Sequence, residues 1–158
     1  MKNYTEIYPN MFKVLVCGSR EIRDKEFVFK TLDFLMSKKD LKEIILIHGA
    51  QKSYDKHLEI YYGADYLADL WGRERGVIIQ PFPAPWDGLP RVPKSSMKKN
   101  RFGKLYWPGA GMYRNSRMLD EEPDACVGFL GKSAKNSGTR NMLSICEKAG
   151  ILTKEYYI

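Results

Sequence analysis

The sequence predicts an α/β fold: a single Rossmann-like, doubly wound parallel sheet of about five strands with helices on both faces. Three observations predict it. Short apolar runs alternate along the chain with segments whose apolar residues recur at i, i+3, i+4 and i+7. Runs such as Val14-Leu15-Val16, Ile44-Ile45-Leu46-Ile47 and Ala125 to Leu130 are near-continuous, as strands covered on both faces must be. Those runs end in glycine turns, at Gly18, Gly49 and Gly131, and helical patterns then open near Gly63, Gly111 and Gly138. Parallel neighbours need crossover connections, and in such sheets ligands sit at the carboxyl ends of the strands. With 158 residues, 44% of them apolar, one domain over 12–158 is expected behind an N-terminal arm at 1–11.

Taken in order, Phe12 to Cys17 reads as the first strand. Gly18 then allows a sharp turn, and Ser19 and Arg20 offer a hydroxyl and a charged fork to an anion. Asp24 is placed to cap a helix from about residue 25 to 37, with Val28, Leu32 and Leu35 on its stripe and Phe27, Thr31 and Phe34 widening it. A second strand from Glu43 ends in His48-Gly49-Ala50. Residues 51–62 are a polar and aromatic insertion carrying Tyr54, Tyr61 and Tyr62. Gly63-Ala64-Asp65 opens the next helix, whose Ala64, Leu67, Ala68 and Trp71 make a buried stripe before Gly76 stops it.

Val77 to Gln80 is the third strand, closed by Pro81. A second insertion, about 83–108, is proline-rich and then basic, with no helical or strand period. Arg91, Lys94, Lys98, Lys99, Arg101 and Lys104 follow Asp87 without another acid. The stretch reads as a lid, an anion-binding surface or a solvated loop. From Gly111 a helix sets Met112, Asn115, Met118 and Leu119 on one face, with Arg114 and Arg117 near its start. Ala125 to Leu130 is the fourth strand, and the small basic segment from Lys132 to Thr139 leads into a helix striped by Met142, Ile145, Cys146 and Ala149. Leu152 to Ile158 supplies the fifth strand.

The charge balance, 26 Lys and Arg against 19 Asp and Glu for a net +7, favours anionic partners. Cys17, Cys126 and Cys146 lie in apolar segments without CxxC spacing and read as buried thiols in a reducing compartment. His48 and His57 fit no metal-ligand pattern, so neither a metal nor another cofactor is expected. No apolar run reaches the length of a membrane span and the N-terminus lacks the order of a secretion signal. A soluble, cytoplasmic protein without membrane contact is therefore expected.

With these turns in register, the sequence resembles the SLOG superfamily, Rossmann-like domains that bind nucleotides and nucleotide-derived ligands, and within it the YspA-like, cpYpsA-related branch. The resemblance runs from about Phe12 to Leu152. Its carriers are Val14 to Arg20, His48-Gly49-Ala50, Gly63-Ala64-Asp65, Trp86-Asp87, Arg114-Asn115-Ser116-Arg117-Met118 and Ser137-Gly138-Thr139. Two departures fall at the ligand edge: residues 51–62 separate motifs that usually adjoin, and the excursion before Arg114 is long. The LONELY GUY phosphoribohydrolases, distant relatives, place a glutamate three residues after the Gly-Thr of the last loop. Here Met142 stands there, and a methionine cannot transfer a proton.

The resemblance implies a ligand-binding set of Gly18, Ser19, Arg20, His48, Gly49, Gly63, Asp65, Trp86, Arg114, Asn115, Gly131, Lys132, Ser137, Gly138 and Thr139. It implies binding of a nucleotide or nucleotide-derived small molecule, such as a signalling nucleotide, for sensing or sequestration. Trp86 is read as a base-stacking platform or as a lid anchor. The alternative is a nucleotide N-glycosidase or phosphoribohydrolase, for which Asp65, Asp87 and His48 are the acid–base candidates and no catalytic residue is assigned. A second alternative is single-stranded nucleic-acid binding through Lys94 to Lys104 with Phe102, Tyr106 and Trp107, in line with a resemblance to DNA-processing protein A. Tyrosines at 4, 8, 54, 61 and 62 suit an interface, so a homo-oligomer is expected.

Overall fold

The computed structural model describes residues 10–132 and 135–158; the N-terminal arm, with Tyr4 and Tyr8, therefore lies almost wholly outside the described residues. Five parallel strands form the central sheet: β1 (Phe12–Gly18), β2 (Ile44–His48), β5 (Ile78–Pro81), β8 (Ala125–Leu130) and β9 (Leu152–Tyr157). Their spatial order is β5-β2-β1-β8-β9. The chain thus winds one way from β1 to β5, then crosses back to the other side of β1. Register places Phe12 beside Ile44, Val14 beside Ala125 and Gly18 beside Phe129. The sheet is that of a Rossmann-like α/β fold, with its switch in winding direction between β1 and β8.

Among the described residues four helices cover the sheet: α1 (Lys25–Leu35), α2 (Ala64–Arg75), α3 (Ala110–Asp120) and α4 (Ser137–Lys148). Because strand side chains alternate between faces, β1 contributes to two cores. Val14 and Val16 join Val28, Leu32, Leu67, Ala68 and Trp71 of α1 and α2. Leu15 and Cys17 join Met118 of α3 and Met142, Leu143 and Cys146 of α4 on the opposite face. All three cysteines are free and buried.

In α1 the buried face runs through Val28, Phe29 and Leu32, while Phe34 is 76% exposed. The face is therefore rotated toward Phe29, which sits within reach of the Lys25 and Arg75 cations, at 5.1 and 5.2 Å from the ring centre. On α3 the expected face is also incomplete: Asn115 and Met118 are buried, but Met112 is 62% exposed.

The two insertions are built as small antiparallel ribbons. Residues 51–62 contain β3 (Ser53–Asp55) and β4 (Ile60–Tyr62). Their hairpin docks on its own chain: Arg23 pairs with Asp55 at 2.9 Å and covers the Tyr62 ring at 3.7 Å. Tyr61 packs against Tyr54 and against Tyr66 of α2, at 4.9 and 5.6 Å between ring centres. In the second insertion a short 3-10 turn, Lys94–Ser96, precedes β6 (Lys98–Lys99) and β7 (Leu105–Tyr106). Two-residue strands are too short to show a sequence period, which is why this stretch reads as irregular.

The carboxyl edge of the sheet depends on one close approach. A Cβ on Gly18 would stand 2.6 Å from the Phe129 carbonyl oxygen and would overlap the Cβ of Ala64 at the start of α2. Glycine alone lets β1, β8 and α2 meet there, and the Ser19 N–H donates to that same Phe129 oxygen at 2.9 Å. Gly18→Ala should therefore cost about 1–3 kcal/mol, the usual penalty of overpacking. Gly138→Ala, where a Cβ meets nothing within 4 Å, should keep or raise stability by up to about 1 kcal/mol. Urea unfolding of both variants checks the contrast, and equal losses would contradict it.

Candidate functional site

At the switch between β1 and β8 the carboxyl edge opens into a crevice of about 520 Å³. That volume lies in the range of small-molecule sites. Its walls come from separate parts of the chain: Gly18 to Glu21 after β1, Gly49 and Gln51 after β2, Asp65 on α2, Trp86 after β5, one face of α3, and Asn136 to Thr139 with Asn141 at α4.

The turn after β1 is held by its own backbone and by α2. Ser19 is buried, its hydroxyl accepting from the Glu21 N–H at 3.1 Å and its carbonyl from the Ala64 N–H at 3.1 Å. Gly63, at φ +111°, donates to the Ile22 carbonyl at 2.8 Å. The N-terminus of α2 is thus occupied by the protein's own carbonyls. Arg20 points outward from the same turn, its guanidinium 5.5 Å from the centre of the Trp86 ring. The pair frames the mouth of the crevice with one cation and one aromatic face.

As at α2, among the described residues no side chain caps the N-terminus of α4. Its residue before the first turn, Asn136, sits in the left-handed region at φ 55° and turns its amide back on Gly131, accepting from its N–H at 3.1 Å and donating to its carbonyl at 2.8 Å. The first N–H groups of a helix have no acceptor within it and carry the positive end of the helix dipole. Here that end, at Ser137, Gly138 and Thr139, faces the crevice.

Arg114 and Asn115 of α3 tie the two sides together. The Arg114 Nη1 donates to the Gly49 carbonyl, and its Nε donates to the Asn115 Oδ1 at 3.0 Å. The Asn115 amide nitrogen then donates to the Gly138 carbonyl at 3.2 Å and to the Asn141 Oδ1 at 3.0 Å. Both amide protons of the buried Asn115 are engaged within the protein, so it positions Arg114 and the first turn of α4. Gly49 is glycine because a Cβ would meet the Arg114 guanidinium on one side and stand 2.9 Å from the Asp65 Oδ2 on the other.

Asp65 is 7% exposed, and its Oδ2 accepts from the Gln51 N–H at 3.1 Å. Burial pushes its carboxyl up, against the opposing pull of His48, the Gln51 amide, Arg114 and Arg20. Burial in turn lowers the Arg114 guanidinium, opposed by the charge of Asp65.

Of the residues expected from the sequence, Gly18, Ser19, Arg20, Gly49, Asp65, Trp86, Arg114, Asn115, Ser137, Gly138 and Thr139 line this crevice. His48, Gly63, Gly131 and Lys132 stand outside its lining. His48 is 3% exposed; its Nδ1 accepts from the Ala50 N–H at 3.0 Å, which leaves Nε2 to donate to Asp69 at 2.9 Å. It shapes the turn after β2 from behind. Lys132 extends the edge of the sheet through its N–H to the Ile158 carbonyl at 3.1 Å. Asp87 is on the outside, its side chain 87% exposed. Met142 is fully buried in the core.

Asn136 and Asn141 were not singled out by sequence reasoning. An Asn directly before Ser-Gly-Thr at a helix start carries a usable signal, whereas Asn141 is meaningful only through its bond to Asn115. Among the described residues no group of His, Cys, Asp and Glu could hold a metal ion, and no helix is long and apolar enough to cross a membrane.

The raised carboxyl has a pH signature. Between the ordinary carboxylate range, about pH 4, and its raised folded value, Asp65 binds more proton in the folded than in the unfolded chain. It therefore withdraws stability as pH rises through that window. Asp65→Asn keeps an acceptor for the Gln51 N–H and has no such titration. Its melting temperature relative to the parent should rise as pH is raised above about 4. A parent that gains on the variant over that range would contradict the assignment.

No curated protein matches the chain. Residues 12–88 match the model of the YspA, cpYpsA-related SLOG family, and this stretch spans β1 through Trp86, with Gly18, Ser19, Arg20, Gly49 and Asp65 of the crevice. Arg114, Asn115 and the first turn of α4 lie beyond the match and complete the same crevice. Residues 12–88, just under half of the chain, are thus similar to the YspA, cpYpsA-related SLOG family.

Proposed function

We propose that the crevice binds a nucleotide or nucleotide-derived ligand. The observation that carries this reading is the N-terminus of α4, whose first turn lines a cavity also lined by Arg20 and Arg114. Backbone N–H groups, a helix dipole and two guanidinium groups suit a phosphate. Trp86, beside Arg20 at the mouth, suits a base. The match of residues 12–88 to a SLOG family model supports the same class of ligand. Binding for sensing or sequestration follows from a site rich in donors and poor in groups able to move a proton.

One observation favours a second reading, cleavage of an N-glycosidic bond. Asp65 is a buried carboxyl on the crevice wall with its proton affinity raised. It could give that proton to a departing base while water adds to the sugar carbon. Free base released from nucleoside monophosphates by the parent, and lost in Asp65→Asn, would establish it; intact nucleotide after long incubation leaves binding alone.

Calorimetry against nucleoside mono- and diphosphates, cyclic nucleotides and ADP-ribose tests the leading reading. At least one should bind. Arg20→Ala should weaken that ligand about 10- to 100-fold, the range of a charge-assisted hydrogen bond, and leave stability within about 0.5 kcal/mol because the side chain is at the surface. Gly138→Val, which projects into open space in the crevice, should weaken it as well. Uniform absence of heat across the panel would overturn the proposal.

A further inference from the structure

The ribbon formed by β6 and β7 has no part in the crevice lining, yet it lies in a stretch dense in cations. From Gly88 to Gly109 the chain carries Arg91, Lys94, Lys98, Lys99, Arg101 and Lys104 and no acid. Asp87, at its root, approaches Lys104 at 3.9 Å, with both side chains largely exposed. Lys98 pairs across the ribbon with Tyr106, and Lys99 with Leu105.

Its tip is constructed. The Asn100 Oδ1 accepts from the N–H groups of Phe102 and Lys104, at 2.9 and 3.0 Å, and Gly103 takes a left-handed φ of 78°. This turn holds Phe102 78% exposed, with the Arg101 guanidinium 4.8 Å from the ring centre. A merely solvated charge run has no use for a large apolar ring held out by a hydrogen-bonded turn. The ribbon is also continuous with the crevice. β7 ends one residue before Trp107, whose N–H donates to the Trp86 carbonyl at 2.7 Å, and Trp86 and Pro108 line the mouth.

We infer that this ribbon is a track for single-stranded nucleic acid, with a terminal nucleotide of the strand entering the crevice and the following phosphates lying along Lys98, Lys99, Arg101 and Lys104. Cations spaced on a ribbon neutralise successive phosphates, and an exposed ring gives a base a stacking platform without sequence preference. The inference rests on the nucleotide reading of the crevice only for the entry of that terminal nucleotide.

Fluorescence anisotropy with labelled oligothymidylate and oligouridylate about 12 nucleotides long, a length suited to such sites, is the test. Binding should weaken with salt at a slope near −3 on logarithmic axes, as expected for about four phosphate contacts on a single strand. Lys98→Glu with Lys99→Glu should weaken it about tenfold or more and flatten the slope by about 1. Phe102→Ala should weaken it about 5-fold or more. All three changes should leave binding of a mononucleotide in the crevice unaltered.

Absent or salt-insensitive oligonucleotide binding, or binding unchanged in the double Glu variant, would overturn the track while leaving a mononucleotide site intact. Oligonucleotide binding lost in the ribbon variants, combined with no mononucleotide binding at all, would establish the track and overturn the crevice reading. Equal affinity for a duplex would contradict the stacking role of Phe102. Retention on phosphatidylserine vesicles without oligonucleotide binding would overturn the track in favour of a membrane surface.

Discussion

No side chain fits where the end of β1 meets the start of α2, because a Cβ at Gly18 would stand 2.6 Å from the Phe129 carbonyl oxygen and overlap Ala64. The consequence reaches across the carboxyl edge. With Gly18 in place, Ser19 can bond both to β8 and to the first turn of α2, and Arg20 emerges beside Trp86. The same contact uses the N-terminus of α2 internally, while the first turn of α4, across the switch in winding direction, lines the crevice. The crevice follows from the packing of two strands and a helix before any ligand is considered.

Its electrostatics follow from a second constraint, the burial of opposite charges around Gly49. Asp65 and Arg114 flank that glycine, each made less willing to ionise by burial and each opposed by the other. Removing one buried charge leaves its counterpart exposed to the full desolvation cost. This is why Arg114 is read here as both a wall of the site and a support. Its bond to the Gly49 carbonyl and its link through Asn115 to Gly138 fix the distance between the β2 turn and α4.

Much of this was legible in the sequence because local patterns determine it. The apolar run at 125–130 is β8 itself, and the i, i+3, i+4, i+7 stripe from Ala64 to Trp71 is the buried face of α2. Glycine at strand ends marked the crevice, since close backbone approach leaves a glycine signature. What was not legible depends on residues far apart. His48 turns to Asp69, and Gly131 is enclosed by Asn136. Phe29 is drawn inward toward Lys25 and Arg75 while Phe34 faces solvent. The ribbon at 98–106 has strands of two residues, below the length at which any period can be seen. In the cases of His48 and of Phe29 against Arg75, a tertiary contact overrides a local pattern.

The claim on which the account turns is that the first turn of α4 and the turn after β1 take hold of one anion together. A nitrogen–proton correlation spectrum recorded while a nucleoside monophosphate is added reads those amides directly. The account predicts saturable shifts at Ser19, Arg20, Gly138 and Thr139, with the amides of the 53–62 hairpin unmoved. Shifts confined to that hairpin, or saturable binding that leaves Gly138 and Thr139 unmoved, would contradict it.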